Sequence, residues 1–228
     1  NLSVIDMRTN RVTATLATGD APVNPTVSPD WKRLYVSNSV SGTLSVFDTR
    51  SGGLAATLPV PGAKPSGLAF TRDGKRLVVT FLGETLDTPG MVAAMDVASG
   101  TFGKAIAIGA QPERLTLSPD GSRAYVANLR ARSMSVVDLE KGEVVATIAL
   151  GEYPFNVLAT PDGRRVYVGN VKGNTIAEID TATNQVVREI ETAKGPNGMA
   201  FGPDRRRIFV TYVYGNRVQV FDLVSGAV

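Results

Sequence analysis

The chain of 228 residues contains no cysteine and no histidine. Their absence excludes disulfide bonds, Cys/His zinc sites, haem held by a His or Cys axial ligand, thiol nucleophiles and Ser/His/Asp triads from anything this chain builds alone. Chemistry here would have to rest on Asp, Glu, Lys, Arg, Tyr, Ser or Thr. No apolar run approaches the roughly 18 residues that a membrane-spanning helix needs, and the apolar residues show no helical periodicity. A large excess of either sign of charge is lacking as well. Lysine and arginine number 24 against 21 acidic residues, which is a mixed surface rather than a nucleic-acid stripe. With 43% hydrophobic and 20% charged residues, the composition is that of a globular chain and not of a disordered tail.

What the chain does have is a repeat. An apolar residue followed by Asp closes a β-patterned segment at Ile5-Asp6, Phe47-Asp48, Met95-Asp96, Val137-Asp138, Ile179-Asp180 and Phe221-Asp222, with spacings of 42, 48, 42, 42 and 42. A second mark, Asp in a Pro-Asp-Gly-like turn, recurs at Asp30, Asp73, Asp120, Asp162 and Asp204, spaced 43, 47, 42 and 42. The strand after that turn is the third mark: Leu34 to Asn38, Leu77 to Phe81, Ala124 to Asn128, Val166 to Asn170 and Ile208 to Tyr212. In the unit from Pro112 to Gly151 the four apolar runs are Leu115 to Leu117, Ala124 to Ala127, Met134 to Val137 and Val144 to Ile148, separated by Gly, Pro, Asn and Asp. The turn chemistry is specific, with Pro where φ near −65° is wanted, Asp bonding its own backbone, and Gly where φ is positive.

Four antiparallel strands in each repeat of this length make the blade of a β-propeller, in which every blade buries its faces against its neighbours. The expected fold is therefore all-β, a single propeller domain over 1–228. Its blades lie at about 1–24 (partial), 25–64, 65–111, 112–153, 154–195 and 196–228 (partial). The Tyr-Val-Ala-Asn and Tyr-Val-Gly-Asn strands that follow Ser/Thr-Pro-Asp-Gly turns resemble the YVTN-type β-propeller family across essentially the whole chain. Phe81 and Tyr212 depart from the pattern by replacing the closing Asn, as do Trp31 and Arg205 by replacing the turn Gly. The resemblance implies an extracytoplasmic setting, in the periplasm or at the cell surface. It also implies a ring that more often has seven blades, so about five repeats are expected to be part of a larger ring. Known members include surface-layer proteins, periplasmic binding proteins and propeller domains attached to redox enzymes.

Topology locates a candidate surface where no motif does. With the strand after each Pro taken as the inner one, the loop before it and the loop after the second strand share a face, here called the proline face. Around the prolines this face offers Lys64, Glu113, Arg114, Tyr153 and Asn156. After the second strands it offers Glu84, Asp87, Arg130, Arg132, Tyr212 and Tyr214. These positions vary from blade to blade while strand positions do not, and binding tends to use loops held on a rigid scaffold. About six extra residues within Gly83 to Gly90 fall on the same face, as a binding loop or a tolerated excursion. The opposite, turn face carries basic residues after each turn Asp, among them Lys32, Arg33, Lys75, Arg76 and Arg205 to Arg207.

The expected function is a non-catalytic scaffold that binds a partner protein or small ligand through these loops. No catalytic residue, metal ligand or cofactor is assigned. A domain or subunit of a larger redox or hydrolytic enzyme, and a structural cell-surface protein, are the alternatives. Nucleic acid is the weaker partner class.

Overall fold

The computed structural model describes residues 1–60 and 64–223; positions 61–63 and 224–228, which the sequence reading assigned to the ends of two blades, lie outside them. Within the described residues there are strands and turns and no helix. Blade 1 is a two-stranded sheet, β1 (Leu2–Asp6) and β2 (Arg11–Leu16). Blade 2 holds β3 (Pro22–Val27), β4 (Arg33–Asn38), β5 (Thr43–Asp48) and β6 (Leu54–Pro59). Blade 3 holds β7 (Pro65–Phe70), β8 (Arg76–Phe81), β9 (Pro89–Asp96) and β10 (Ile106–Ala110). Blade 4 holds β11 (Pro112–Leu117), β12 (Arg123–Asn128), β13 (Ser133–Asp138) and β14 (Glu143–Ala149). Blade 5 holds β15 (Pro154–Ala159), β16 (Arg165–Asn170), β17 (Thr175–Asp180) and β18 (Gln185–Glu191). Blade 6 has three strands, β19 (Pro196–Phe201), β20 (Arg207–Tyr212) and β21 (Val218–Asp222).

All pairings are antiparallel between consecutive strands. The inner strands β3, β7, β11, β15 and β19 pack against one another in chain order, which is the radial arrangement of a β-propeller. The first of them begins at Pro22 rather than at Pro25, where the sequence reading starts the blade. Pro22 faces Asn38 as Pro112 faces Asn128. Pro25 sits inside an irregular stretch of β3, after Asn24 with its φ of 49°, so the second proline imitates the repeat mark without occupying its register.

In blades 2 to 5 the second strand is apolar on both faces because both are buried, whereas β20 of blade 6 is buried on one face and leaves Phe209 on the other exposed. On β12, Ala124 and Val126 pack toward blade 3 with Val78, Val92 and Ile108. Tyr125 and Ala127 pack toward blade 5 with Val166, Val168 and Ile179. The same alternation splits β16 between two clusters, and each cluster lies between two blades. Outer strands such as β18 alternate between exposed and half-buried positions, as expected for a rim with one covered side.

The closing Asn of the second strand is wholly buried and ties the blade together. Asn128 Nδ2 donates to Ser133 Oγ (3.2 Å) and Ser135 Oγ (2.9 Å) on the third strand. Asn38 bonds Thr43 and Ser45 in the same way, and Asn170 bonds Thr175. A glycine three residues ahead of the inner-strand proline lies directly on each of these amides. A methyl group on Gly109 would come within 2.6 Å of Asn128, and one on Gly19 within 2.8 Å of Asn38. In blade 3, Phe81 takes the Asn position and packs edge-on against Phe102 at 5.9 Å, so an aromatic contact replaces the hydrogen-bonded amide.

Aspartates hold the turns. In Ser118-Pro-Asp-Gly121 the Ser118 hydroxyl donates to Asp120, Asp120 Oδ1 accepts from the Ser122 N–H (3.0 Å), and Ser118 Oγ accepts from the Arg123 N–H (2.9 Å). Thr71 with Asp73 and Thr160 with Asp162 repeat the arrangement. The strand-closing Asp48 accepts N–H bonds from Arg50 and Ser51, and its pKa is lowered to about 2, first by the Ser51 backbone bond and then by the Ser51 hydroxyl and Arg33. Asp96, Asp138 and Asp180 are lowered likewise, chiefly by bonds from the backbone N–H groups of their own turns.

Two outcomes are expected. Gly109→Ala should destabilise the fold by about 1–3 kcal/mol in a denaturant titration, because the new Cβ overpacks a buried side chain. The stability that the aspartates contribute is complete above the unfolded carboxyl value of about 3.9 and is lost as pH falls through the lower folded values. Thermal melts followed by circular dichroism should therefore show the melting temperature dropping steeply between about pH 4 and pH 2.

Candidate functional site

The proline face is built by one backbone device used in blades 2 to 6. The residue before each inner-strand proline adopts a left-handed conformation: Ala21, Lys64, Gln111 and Tyr153 have φ of 51°, 63°, 53° and 58°, and Gly195 has 77°. Each turns its carbonyl to accept the N–H of the residue just past the second strand, as Lys64 does from Leu82 (3.0 Å), Gln111 from Leu129 (2.9 Å) and Tyr153 from Val171 (2.9 Å). The bond clips the two loops of a blade together. Only Gly195 adopts this conformation without steric cost, and the Tyr214 ring lies over it, where a Cβ would approach to 2.7 Å. The side chains of Lys64, Gln111 and Tyr153 thus project from equivalent, firmly held positions.

A chain of contacts crosses three blades on this face. Asp87, in the long β8–β9 loop of blade 3, pairs with Arg130 Nε of blade 4 at 3.2 Å. Arg130 Nη1 reaches the Tyr153 hydroxyl of blade 5 at 3.5 Å, and the Lys172 ammonium lies 3.8 Å from the Tyr153 ring centroid. Beside them Arg132 pairs with Glu152 at 2.9 Å. The Lys172 ammonium, and after it the Arg130 guanidinium, hold the Tyr153 phenol below its usual value. The inserted loop is therefore docked: besides Asp87, it carries Glu84, whose carbonyl accepts from Lys64 Nζ at 2.8 Å.

The same loop walls a cavity of about 400 Å³ between blades 2 and 3, lined by Ser39, Val40, Lys64, Leu82 to Leu86 and Gln111. Val40 and Leu86 are 72% and 55% exposed, so its apolar wall is open to solvent, with a cation at its edge.

On the inner strand β11, Glu113 accepts from Gln111 Nε2 (2.8 Å) and Ser66 Oγ (3.2 Å). Arg114 stacks over Phe155 of the next blade at 5.5 Å, and burial pushes its pKa down while Glu113 opposes the shift. Asn156 is half-buried on β15.

The residues expected from the sequence fall into three groups. Asp87, Arg130 and Tyr153 are joined in one network with Lys172, and Arg132 pairs beside it. Lys64 and Glu84 share the cavity, while Glu113 and Arg114 are neighbours on the inner strand β11. Tyr212 belongs to none of these: at 8% exposure it packs in the core between blades 5 and 6 with Ile176 and Met199, because it fills the slot of the buried closing Asn. Tyr214, at 65%, is exposed. Glu152, Val40 and Leu86 were missed by the sequence reading. Leu86 had a readable signal, being a lone leucine within a polar insertion.

Comparison with known proteins places the fold. No protein-family model and no curated protein matches the chain. Among solved structures, the chain is similar to hydrazine synthase from Kuenenia stuttgartiensis, with 26% identity over 94% of this chain and 66% of that one (TM-score 0.78). A protein of unknown function from Desulfotomaculum acetoxidans aligns at 20% identity over 98% and 73% of the two chains (TM-score 0.85). The Swd1 β-propeller domain from Myceliophteria thermophila aligns at 17% over 92% and 68% (TM-score 0.77). The chain spans about two thirds of the length of the hydrazine synthase chain.

The phenol–cation contact has a direct test. In a spectrophotometric titration of the phenolate band, wild-type protein should show one tyrosine ionising below pH 10 that is absent from Tyr153→Phe. In Lys172→Ala the same tyrosine should move toward the ordinary value of about 10.

Proposed function

We propose that this chain is a non-catalytic β-propeller module that holds a partner protein or small ligand on its proline face, in the extracytoplasmic setting typical of YVTN-type propellers. The observation that carries this reading is the bridge from Asp87 through Arg130 to Tyr153 and Lys172, which joins loops of three blades into one surface. Loops that merely drifted would have no reason to be fastened across blades. Fastening them removes much of the ordering cost that binding otherwise incurs. Tyrosine and arginine at the centre of such a surface are the residue types that dominate measured interface energies. The adjoining cavity, of a size that takes a small ligand or one inserted side chain, supplies an apolar anchor point beside the Lys64 charge.

The likeness to hydrazine synthase favours a second reading, in which the chain is a subunit or domain of a larger enzyme assembly. Without His or Cys it would bring no imidazole or thiolate metal ligand of its own to such an assembly. Its contribution would be docking, through the same face.

Affinity purification of the full chain from its native source, with mass spectrometry of what accompanies it, tests both readings. The bound species should be lost, or held at least about tenfold more weakly, by Arg130→Ala with Tyr153→Ala, as for central interface residues. Arg164→Ala on the turn face should retain it. Equal retention by the proline-face double variant would remove the proposal.

A further inference from the structure

At the turn-face mouth of the propeller, where the inner strands end, two of the turns' departures from the repeat come together. Four turns carry Pro at their second position, Pro29, Pro119, Pro161 and Pro203, but blade 3 has Arg72. Three turns carry Gly at their fourth position with φ of 70–73°, Gly74, Gly121 and Gly163, whereas blade 2 has Trp31 at φ 62° and blade 6 has Arg205 at φ 55°. Arg72 and Arg205 come from blades separated by two others, yet both line one cavity of about 440 Å³ formed by the ends of the inner strands.

We propose that this mouth binds a small organic anion that carries a phosphate monoester or a pair of carboxylates on an apolar body. Three observations lead there. The fold does not need these arginines, because blades 4 and 5 make the same turn with both Pro and Gly, and a left-handed backbone costs an arginine energy that glycine is spared. Neither guanidinium has a hydrogen-bond or ion-pair partner among the described residues. The nearby turn carboxylates are committed elsewhere: Asp73 Oδ1 accepts from the Thr71 hydroxyl and the Lys75 N–H, and Asp204 is taken by Arg207 at 2.6 Å. Finally, Phe70, Leu115 and Leu117, which also pack into the cores between blades, line part of the cavity with apolar surface. Unpaired guanidiniums match the planar, bidentate geometry of carboxylate and phosphate oxygens, and the apolar surface selects an anion with a hydrocarbon or aromatic body over a bare inorganic one. The site lies on the face opposite the proposed partner surface and stands independently of it.

The experiment titrates phenyl phosphate and phthalate, with benzyl alcohol as the uncharged control, into the full chain at low salt, where exposed charges are least screened. Heat of binding and amide chemical shifts are the readouts. Saturable binding of at least one anion is expected, the stronger of the two identifying the preferred anionic group. Arg72→Pro and Arg205→Gly, which restore the repeat's own turn residues, should each weaken it by about tenfold or more. Arg205→Gly should keep or raise the melting temperature, so its loss of binding would not reflect unfolding. Arg130→Ala with Tyr153→Ala should leave anion binding unchanged. Failure of both anions to bind saturably, or equal binding by the two restored-turn variants, would overturn the proposal.

Discussion

Blades 2 to 5 of this protein have both of their faces covered by other blades, and the remaining features are consequences of that burial. A second strand such as Ala124 to Asn128 sends alternate side chains into two different cores, one toward blade 3 and one toward blade 5. It therefore reads as an uninterrupted apolar run rather than as the alternation of a half-exposed strand. A four-stranded sheet of this kind cannot bury itself, and stability comes from stacking neighbours. Burial on both sides also makes any polar group inside costly unless it is bonded. This is why the closing Asn amide reaches the Ser and Thr hydroxyls of the third strand, and why glycine is the residue that fits against it.

A stack held this tightly leaves its loops as the part free to differ, and the two faces differ in kind. On the turn face, hydroxyl, Asp and Gly close the turns of blades 3, 4 and 5 with local hydrogen bonds, so most of those residues are engaged with their own backbone. On the proline face, a left-handed residue and one backbone bond fix each loop while the side chain points away. The same packing thus produces a self-satisfied surface on one side and a displayed one on the other. Departures from the repeat then carry the information: Phe81 and Tyr212 change what fills the core, the insertion after Gly83 reaches the next blade, and Arg72 and Arg205 charge the turn-face mouth of the propeller.

Much of this was legible in the residues. The period, the inner position of the strand after each proline, and the common face of Lys64, Asp87, Arg130 and Tyr153 follow from spacing, because each blade is one local unit of consecutive antiparallel strands. Contacts that run between units were not legible. The Asp87–Arg130 pair joins residues of different blades, and spacing says nothing of the reach of a loop. Tyr212 was misplaced because a tyrosine at the end of a strand looks like an exposed contact residue. Only the packing between blades 5 and 6 shows its ring in the slot of the buried amide. Pro25 misled for a related reason, since a proline identifies a position in the repeat only when its register is known.

The sequence by itself determined the architecture, because a propeller blade is specified by local turn chemistry and by apolar strands that recur at a fixed interval. Only the tertiary structure decided which loop residues meet, which are free and which are buried. Those outcomes depend on the angle and distance between neighbouring blades, and it is the shape of the packed side chains that sets them.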